Sequence, residues 1–404
     1  MLYSRDIFLE IKNVISRDEF IILTGARQTG KTSLLIMIKN FLEEKGEHCH
    51  YFNLENPDYL RLLNKHPFNL FEIIPDSKSK QNVFVDEIQY LDNPANFLKL
   101  LYDEKRNKIK IIASGSSAFY IDKKFTDSLA GRKFLFEIYP LNFDEFLIFN
   151  QEQDILKQKT KRLSIYYKDK LLELWGKYLT YGGYPKVALA ESDDIKRIIL
   201  EELGSSYIKK DITDAGIKNT DKYFSLLKIL ASQTGQLLNS QELANTFGIA
   251  HKTVKEYLYV MKKSYQIAFI TPFYKNLRKE LTKMPKVYFY DLGLRNCFLN
   301  NYDGIKNRSD QGMYLENIIF REFLRKTKRI DKIKFWRTQD KKEVDFVIED
   351  KAFEVKFNLR DKLFKTVKKQ RYKQFKKQYP EIKFRFLTYN DVLEEFYDWK
   401  LASK

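Results

Sequence analysis

Short apolar runs and longer stretches of helical periodicity alternate along the first part of the chain. "EFIILTG" (19–25) reads as a short buried strand. "KTSLLIMIKNFLEE" (31–44) then repeats apolar residues at helical spacing and ends at Gly46. "NVFVDEIQYL" (82–91) is a second strand, with four mostly apolar residues running into Asp86 and Glu87. "KIKIIASGSSAF" (108–119) is a third, ending in small polar residues. The polar stretch 151–170 is a linker or an exposed helix. Helical periodicity resumes in "LLELWGKYLTYGGYPKVAL" and breaks at Gly182-Gly183, and "IILEELGSSYIKKDI" continues as helix.

Residues 239–267 carry a helix-turn-helix spacing: Ala244 where two helices cross, Gly248 at the turn, Val254 on the core face of the second helix. Ser240 is the expected N-cap, with Glu242 in the first turn. "IAFITPFYKNLRKELTKMPKVYFYD" (267–291) has two strand-like runs around a basic loop, which predicts a wing. "KKEVDFVIEDKAFEVKF" (341–357) predicts two alternating strands meeting at a polar turn.

The loop between the first strand and helix fits G-x-x-x-x-G-K-[ST], with Gly25, Gly30, Lys31 and Thr32. Glycines let the backbone N–H groups of Gly25, Ala26, Arg27, Gln28, Thr29, Gly30, Lys31, Thr32 and Ser33 turn toward phosphate oxygens. The helix N-terminus adds a favourable partial charge. Lys31 would reach the β and γ phosphates of ATP, and Thr32 would ligate Mg2+. Asp86 would hold that Mg2+ through water, and Glu87 would polarise the attacking water. Ser114 or Ser116 could sense the γ-phosphate, or the stretch is a plain strand-to-loop turn. Arg132, after Gly131, is either a surface arginine or one that stabilises transition-state charge, in cis or from a neighbouring subunit.

In this order, "GARQTGKTSLL", "VFVDEIQYL", "ASGSSAF", "LAGR…YPLNFDEF" and "YLTYGGYP" resemble prokaryotic AAA-type ATPases of the archaeal kind, which carry a C-terminal domain of unknown function. The resemblance covers nearly the whole chain. It implies an α/β P-loop core, ATP as ligand, and a C-terminal half with a winged helix and a restriction-endonuclease-like fold. It implies no established substrate. The expected domains are an ATPase over 1–150, a linker and helical region over 151–225, a winged helix over 226–295 and a nuclease-like domain over 296–404.

In the 341–357 stretch, Glu354 and Lys356 share one strand face with Asp345 nearby, while Phe353, Val355 and Phe357 take the other. Asp345 and Glu354 can hold Mg2+, with the Val355 carbonyl as a third ligand and Lys356 orienting or deprotonating a metal-bound water. This D-x(8)-E-x-K pattern is similar to that of restriction-endonuclease-like nucleases. That resemblance implies a further glutamate from a preceding helix, for which "GMYLENIIFREFLRK" (312–326) offers Glu316. A salt-bridged sheet face is the other reading.

Composition sharpens the partner. The 404 residues, enough for two to four domains, carry a net charge of +18. Such a cation favours nucleic acid, although an AT-rich genome loads proteins with lysine too. Lys252, Lys255 and Lys262 lie on the outer face of the second helix, and Lys275, Arg278, Lys279 and Lys283 in the wing. Together they suit a phosphate backbone with weak sequence preference. Residues 351–404 hold 15 Lys and Arg against 7 Asp and Glu. There Lys362, Lys365, Lys369, Lys373 and Lys376 share one helical face, and Phe364, Val367, Tyr372 and Phe375 another. The two cysteines, Cys49 and Cys297, sit in no motif, and "MLYSRDIFLEIKN" lacks a signal-like apolar region. No apolar run reaches membrane length, so a reducing cytoplasm is the expected compartment. His48 and His50 find no further ligands for zinc.

The expected function is therefore an ATP-hydrolysing protein, with ATP and Mg2+ as cofactors, that engages DNA, the C-terminal site offering Mg2+-dependent endonuclease activity as an open possibility. The alternatives are an ATP-switched DNA-binding or signalling protein without nuclease activity, and an interaction protein that binds ATP structurally. The sequence leaves open whether it forms a homo-oligomer.

Overall fold

In this computed structural model the apolar run Phe20–Thr24 is β1, buried at all five positions. It lies between two parallel neighbours in a five-stranded sheet of order β2-β3-β4-β1-β5. The other strands are β2 (Cys49–Asn53), β3 (Gln81–Asp86), β4 (Ile109–Gly115) and β5 (Lys133–Glu137). All four pairings are parallel. Successive β1 side chains feed opposite cores. Ile21 and Leu23 pack with Leu34, Leu35 and Ile38 of the Lys31–Glu43 helix. Phe20 and Ile22 pack in a second cluster with Phe97, Leu98 and Leu101 of the Pro94–Lys105 helix. A strand covered on both faces must be apolar throughout, which is why it reads as an unbroken run.

The residues described are 2–115, 129–159, 163–274, 280, 283–357 and 373–399, the side chains of residues 206 and 207 excepted. Ser116, Lys275, Arg278, Lys279, Lys362, Phe364, Lys365, Val367, Lys369 and Tyr372 lie outside them. The chain forms two compact units. One is the segment ending at Leu141 together with Lys263–Tyr265, and the other is Asn142–Lys262 with the remainder from Gln266. The helical, helix-turn-helix and C-terminal segments thus fall within one unit.

The second unit holds a six-stranded sheet of order β11-β10-β9-β8-β6-β7. Its strands are β6 (Ile267–Pro272), β7 (Lys286–Phe289), β8 (Lys334–Arg337), β9 (Glu343–Ile348), β10 (Lys351–Val355) and β11 (Lys383–Leu387). The helices Ser240–Phe247 and His251–Lys263 flank Gly248, whose φ of 57° makes the expected turn. Ala244 and Val254 are buried as the spacing predicts. The cap is Asn239 rather than Ser240, because its side chain accepts the N–H groups of Gln241 and Glu242. β6 and β7 pair antiparallel, as a wing would. However, β6 also pairs parallel with β8, so this hairpin is the edge of the C-terminal sheet. β7 is an end strand of that sheet, and the Asn317 amide pairs with both the N–H and the carbonyl of Phe289. A buried side chain thereby covers backbone groups that an open edge would expose.

The Gly182-Gly183 break has a packing cause. The Ile165–Tyr181 helix stops at Gly182, with φ 78°. The buried Asp291 carboxylate accepts from Gly183 N at 2.8 Å and caps Leu294 N at 2.9 Å. The following helix, Leu292–Leu299, approaches so closely that a Cβ on Gly293 would lie 2.0 Å from the Tyr181 carbonyl oxygen. Gly293→Ala is therefore expected to lower stability by roughly 1–3 kcal/mol through overpacking. Gly176→Ala, whose Cβ meets nothing within 4 Å, should instead stabilise the same region, because alanine is the better helix former. Urea denaturation of the two variants checks the opposite signs.

Candidate functional site

The nucleotide-binding loop starts where β1 ends. Ile138 N donates to the Thr24 carbonyl, and a Cβ on Gly25 would lie 2.2 Å from the Ile138 carbonyl oxygen. With φ at 151°, Gly25 is a position only glycine fills. Gly30, φ 91°, precedes the Lys31–Glu43 helix without a side-chain cap, and Thr32 and Ser33 are exposed in its first turn. First-turn N–H groups without a cap suit an anion. The loop is held from below. Thr29 Oγ1 donates to the Ala26 carbonyl at 2.9 Å. The buried Arg5 guanidinium donates to the carbonyls of Thr29 and Tyr139, both at 2.9 Å. Arg27 and Gln28 are half-buried, Gln28 with φ 59°. Lys31 Nζ donates to the Gly25 and Ala26 carbonyls at 3.0 and 2.7 Å, so its charge sits inside the loop.

The parallel register brings the acids to the same edge. Leu23 pairs with Ser114, and Val85 with Ala113, so Asp86 at the end of β3 is level with Ser114 on β4 and with the end of β1. Two strand spacings are about 10 Å, within the span of a triphosphate and its metal. Asp86 is buried and accepts from Tyr51 Oη at 2.7 Å and from the Ser114 hydroxyl. Burial and the neighbouring Asp86 hold the Tyr51 phenol well above its usual range, so it stays a donor. Glu87 is half-buried with a left-handed φ of 56°, and its carboxylate accepts from the Gln89 side-chain amide. Ser114 therefore braces Asp86. Sequence reasoning missed Arg5, Tyr51 and Gln89. Only Gln89 carried a signal, as an amide two residues beyond Glu87.

Arg132 is placed elsewhere. Its carbonyl accepts from Phe20 N, at the start of β1, whereas the nucleotide-binding loop follows the end of that strand. The strand's length, about 16 Å, separates them. Its guanidinium forks onto Asp103 at 2.7 and 3.2 Å. This corrects the reading of Arg132 as a cis arginine finger.

In the second unit, Glu316 lies on the Gln311–Thr327 helix, Asp345 on β9 and Glu354 on β10, with Lys356 just beyond. Phe353 pairs with Phe346, so the next step of the antiparallel ladder sets Glu354 beside Asp345. Val355 N donates to Asp345 Oδ2 at 2.8 Å, and Lys356 pairs with Glu354 at 2.7 Å. Burial and the nearby Asp345 push Glu354 up to about 7, against the pull of Lys356. Burial likewise raises Glu316 to about 7, opposed by Lys286. The structure thus brings together the four residues the sequence singled out, and adds three it did not: Lys286, Tyr288 and Glu343. Lys286 Nζ is 2.8 Å from Glu316, 2.6 Å from Glu343 and 3.7 Å from Asp345. Among the described residues, no group of three or more His, Cys, Asp and Glu is placed to hold a metal ion; the expected pair Asp345 and Glu354 with the Val355 carbonyl stays an expectation.

Residues 17–147 match the family described as an AAA domain. Over those residues the N-terminal unit is similar to P-loop domains of the AAA kind. Residues 172–304 and 311–394 match two domains of unknown function, DUF8612 and DUF4143. An uncharacterized protein of Haemophilus influenzae is 27% identical over 361 residues, 86% of this chain and 84% of that protein. One from Methanocaldococcus jannaschii is 28% identical over 399 residues, 96% of this chain and 85% of its own. Among solved structures, the chain is similar to a replication initiator DnaA bound to AMPPCP and single-stranded DNA. That likeness has 20% identity, 64% of this chain and 86% of the other covered, and a TM-score of 0.30.

In the N-terminal unit, removing the Lys31 ammonium and removing the Glu87 acid are expected to have separable consequences. Lys31→Ala should weaken ATP binding itself. Glu87→Gln should keep binding and lower turnover by roughly 10²–10⁴-fold, the usual contribution of a general base. Fluorescent-nucleotide binding and phosphate release, measured on the same preparations, check both.

Proposed function

We propose that this protein is an ATP-hydrolysing switch that engages the DNA backbone. The observation that carries the reading is the shared carboxyl edge of β1, β4 and β3, where the Gly25–Thr32 loop, Ser114, Asp86 and Glu87 end side by side. Ligands of open α/β sheets bind outside the carboxyl ends of the strands. The residues there fit ATP with Mg2+: an uncapped helix start, a lysine inside the loop, and an acid held by the neutral hydroxyls of Tyr51 and Ser114. When bound, the metal would neutralise charge on the phosphates.

Thr32 and Asp86 would hold that metal. Lys31 would exchange the Gly25 and Ala26 carbonyls for phosphate oxygens. Glu87, on leaving the Gln89 amide, would accept the proton of the attacking water. Loss of the γ-phosphate would then change conformation. No cis arginine finger is invoked, and one from a second copy would make turnover depend on protein concentration.

DNA engagement rests on the helix-turn-helix geometry and on Lys252, Lys255 and Lys262, all exposed on the second helix. Lys283, between β6 and β7, is exposed too. These residue types suit phosphates and carry little base information. Fluorescence anisotropy with a labelled duplex should show affinity falling steeply with salt. Replacing Lys252, Lys255 and Lys262 with alanine should shrink the slope of log affinity against log salt by about 0.9 for each phosphate that is no longer neutralised. A wild type without salt-dependent affinity for duplex or single strand would remove DNA from the reading. It would leave a nucleotide-switched signalling protein. Among the described residues no helix is long and apolar enough to cross a membrane.

A further inference from the structure

The restriction-endonuclease-like pattern implies Mg2+ between Asp345 and Glu354, with Glu316 near. Beside that pair the chain supplies a cation of its own. Lys286 opens β7, and its side chain is 1% exposed. An ammonium has three N–H donors, and three carboxylates face it from two elements: Glu316 from the Gln311–Thr327 helix, and Glu343 and Asp345 from one face of β9.

Further donors reach some of these acids and their neighbour Glu354. Asp345 Oδ2 takes the Val355 N–H. The second oxygen of Glu343 takes Arg337. Glu316 also accepts from the buried Tyr288 hydroxyl, and Glu354 holds Lys356. Lys286 further lies 5.5 Å from the Phe335 ring centroid.

We infer that Lys286 is a built-in cation beside the position expected for a divalent metal, so that the C-terminal cluster ties β7, the Gln311–Thr327 helix and β9 together and does not support metal-dependent cleavage. Mg2+ requires oxygens at about 2.0–2.1 Å in near-octahedral order and gives up its water reluctantly. Here Glu343 and Glu316 lie 2.6 and 2.8 Å from Lys286 Nζ, and Asp345, the acid shared with the expected metal site, lies 3.7 Å from it. A divalent ion on the same oxygens would sit against a fixed positive charge in a site with little water to screen it. The lysine, being part of the chain, is present at every fold event and needs no free ion. Removing it would leave several buried carboxylates without their shared partner.

The inference is independent of what the AAA domain hydrolyses and of whether DNA binds. Its test uses the full chain without nucleotide, titrated with Mn2+ while free Mn2+ is followed by electron paramagnetic resonance. Wild type is expected to take up no Mn2+ at this cluster in the micromolar range. Lys286→Met is expected to gain one site, and the gain should vanish in Lys286→Met with Asp345→Asn. Micromolar Mn2+ uptake by wild type that disappears in Asp345→Asn would overturn the inference. So would a folded Lys286→Met that gains no site. If Lys286→Met does not fold, the wild type and Asp345→Asn pair decides alone.

Discussion

The parallel register of β1, β4 and β3 is the constraint on which the nucleotide site depends. Each strand is buried along its length, so none can slip by one residue without exchanging its two core faces. With the register locked by packing, the strands must also end together. That common end sets Asp86 level with Ser114, and Ser114 level with the start of the Gly25–Thr32 loop. The site residues are far apart in sequence, yet their positions follow from the core beneath them. The loop adds its own requirement, since Gly25 meets the Ile138 carbonyl too closely for any side chain.

The two units bury acids in opposite ways. Asp86 accepts from neutral hydroxyls, Tyr51 and Ser114, and from the Glu87 N–H. These donors are dipoles, so they satisfy its hydrogen bonds without cancelling its negative charge, which is the state an acid needs if it is to attract a cation. Glu316, Glu343 and Asp345 instead share an ammonium, and Glu354 has a lysine of its own. Part of their charge is compensated within the fold. Similar carboxylates therefore serve different ends, decided by whether their partners are dipoles or ions.

Much of this was legible along the chain. The nucleotide-binding loop, the two acids and the strand under each stand in continuous segments whose periodicity and turn residues report local structure. The helix-turn-helix was legible for the same reason, down to Gly248 at the turn, although its cap fell one residue earlier because Asn239 reaches two N–H groups. The Asp345, Glu354 and Lys356 strand faces were also legible, since alternation fixes which side chains are neighbours. What was not legible came from pairings across the sheet. Arg132 read in sequence as either a surface arginine or a catalytic one, and only parallel pairing with β1 sets it at the strand's amino end, beside Asp103. The wing looked separate until β6 joined β8.

The sequence by itself determined the elements, the phosphate-binding chemistry of the loop and the acids available to each site, because these depend on neighbours within a few residues. Only the tertiary structure decided what those acids face. Lys286 reads in sequence as one more lysine in a basic loop and strand. Its ammonium is buried among three carboxylates only because β7, a helix 25 or more residues later and β9 converge on it. Burial turns an ordinary surface charge into the partner that the cluster requires, and no local pattern encodes a pairing made over that distance.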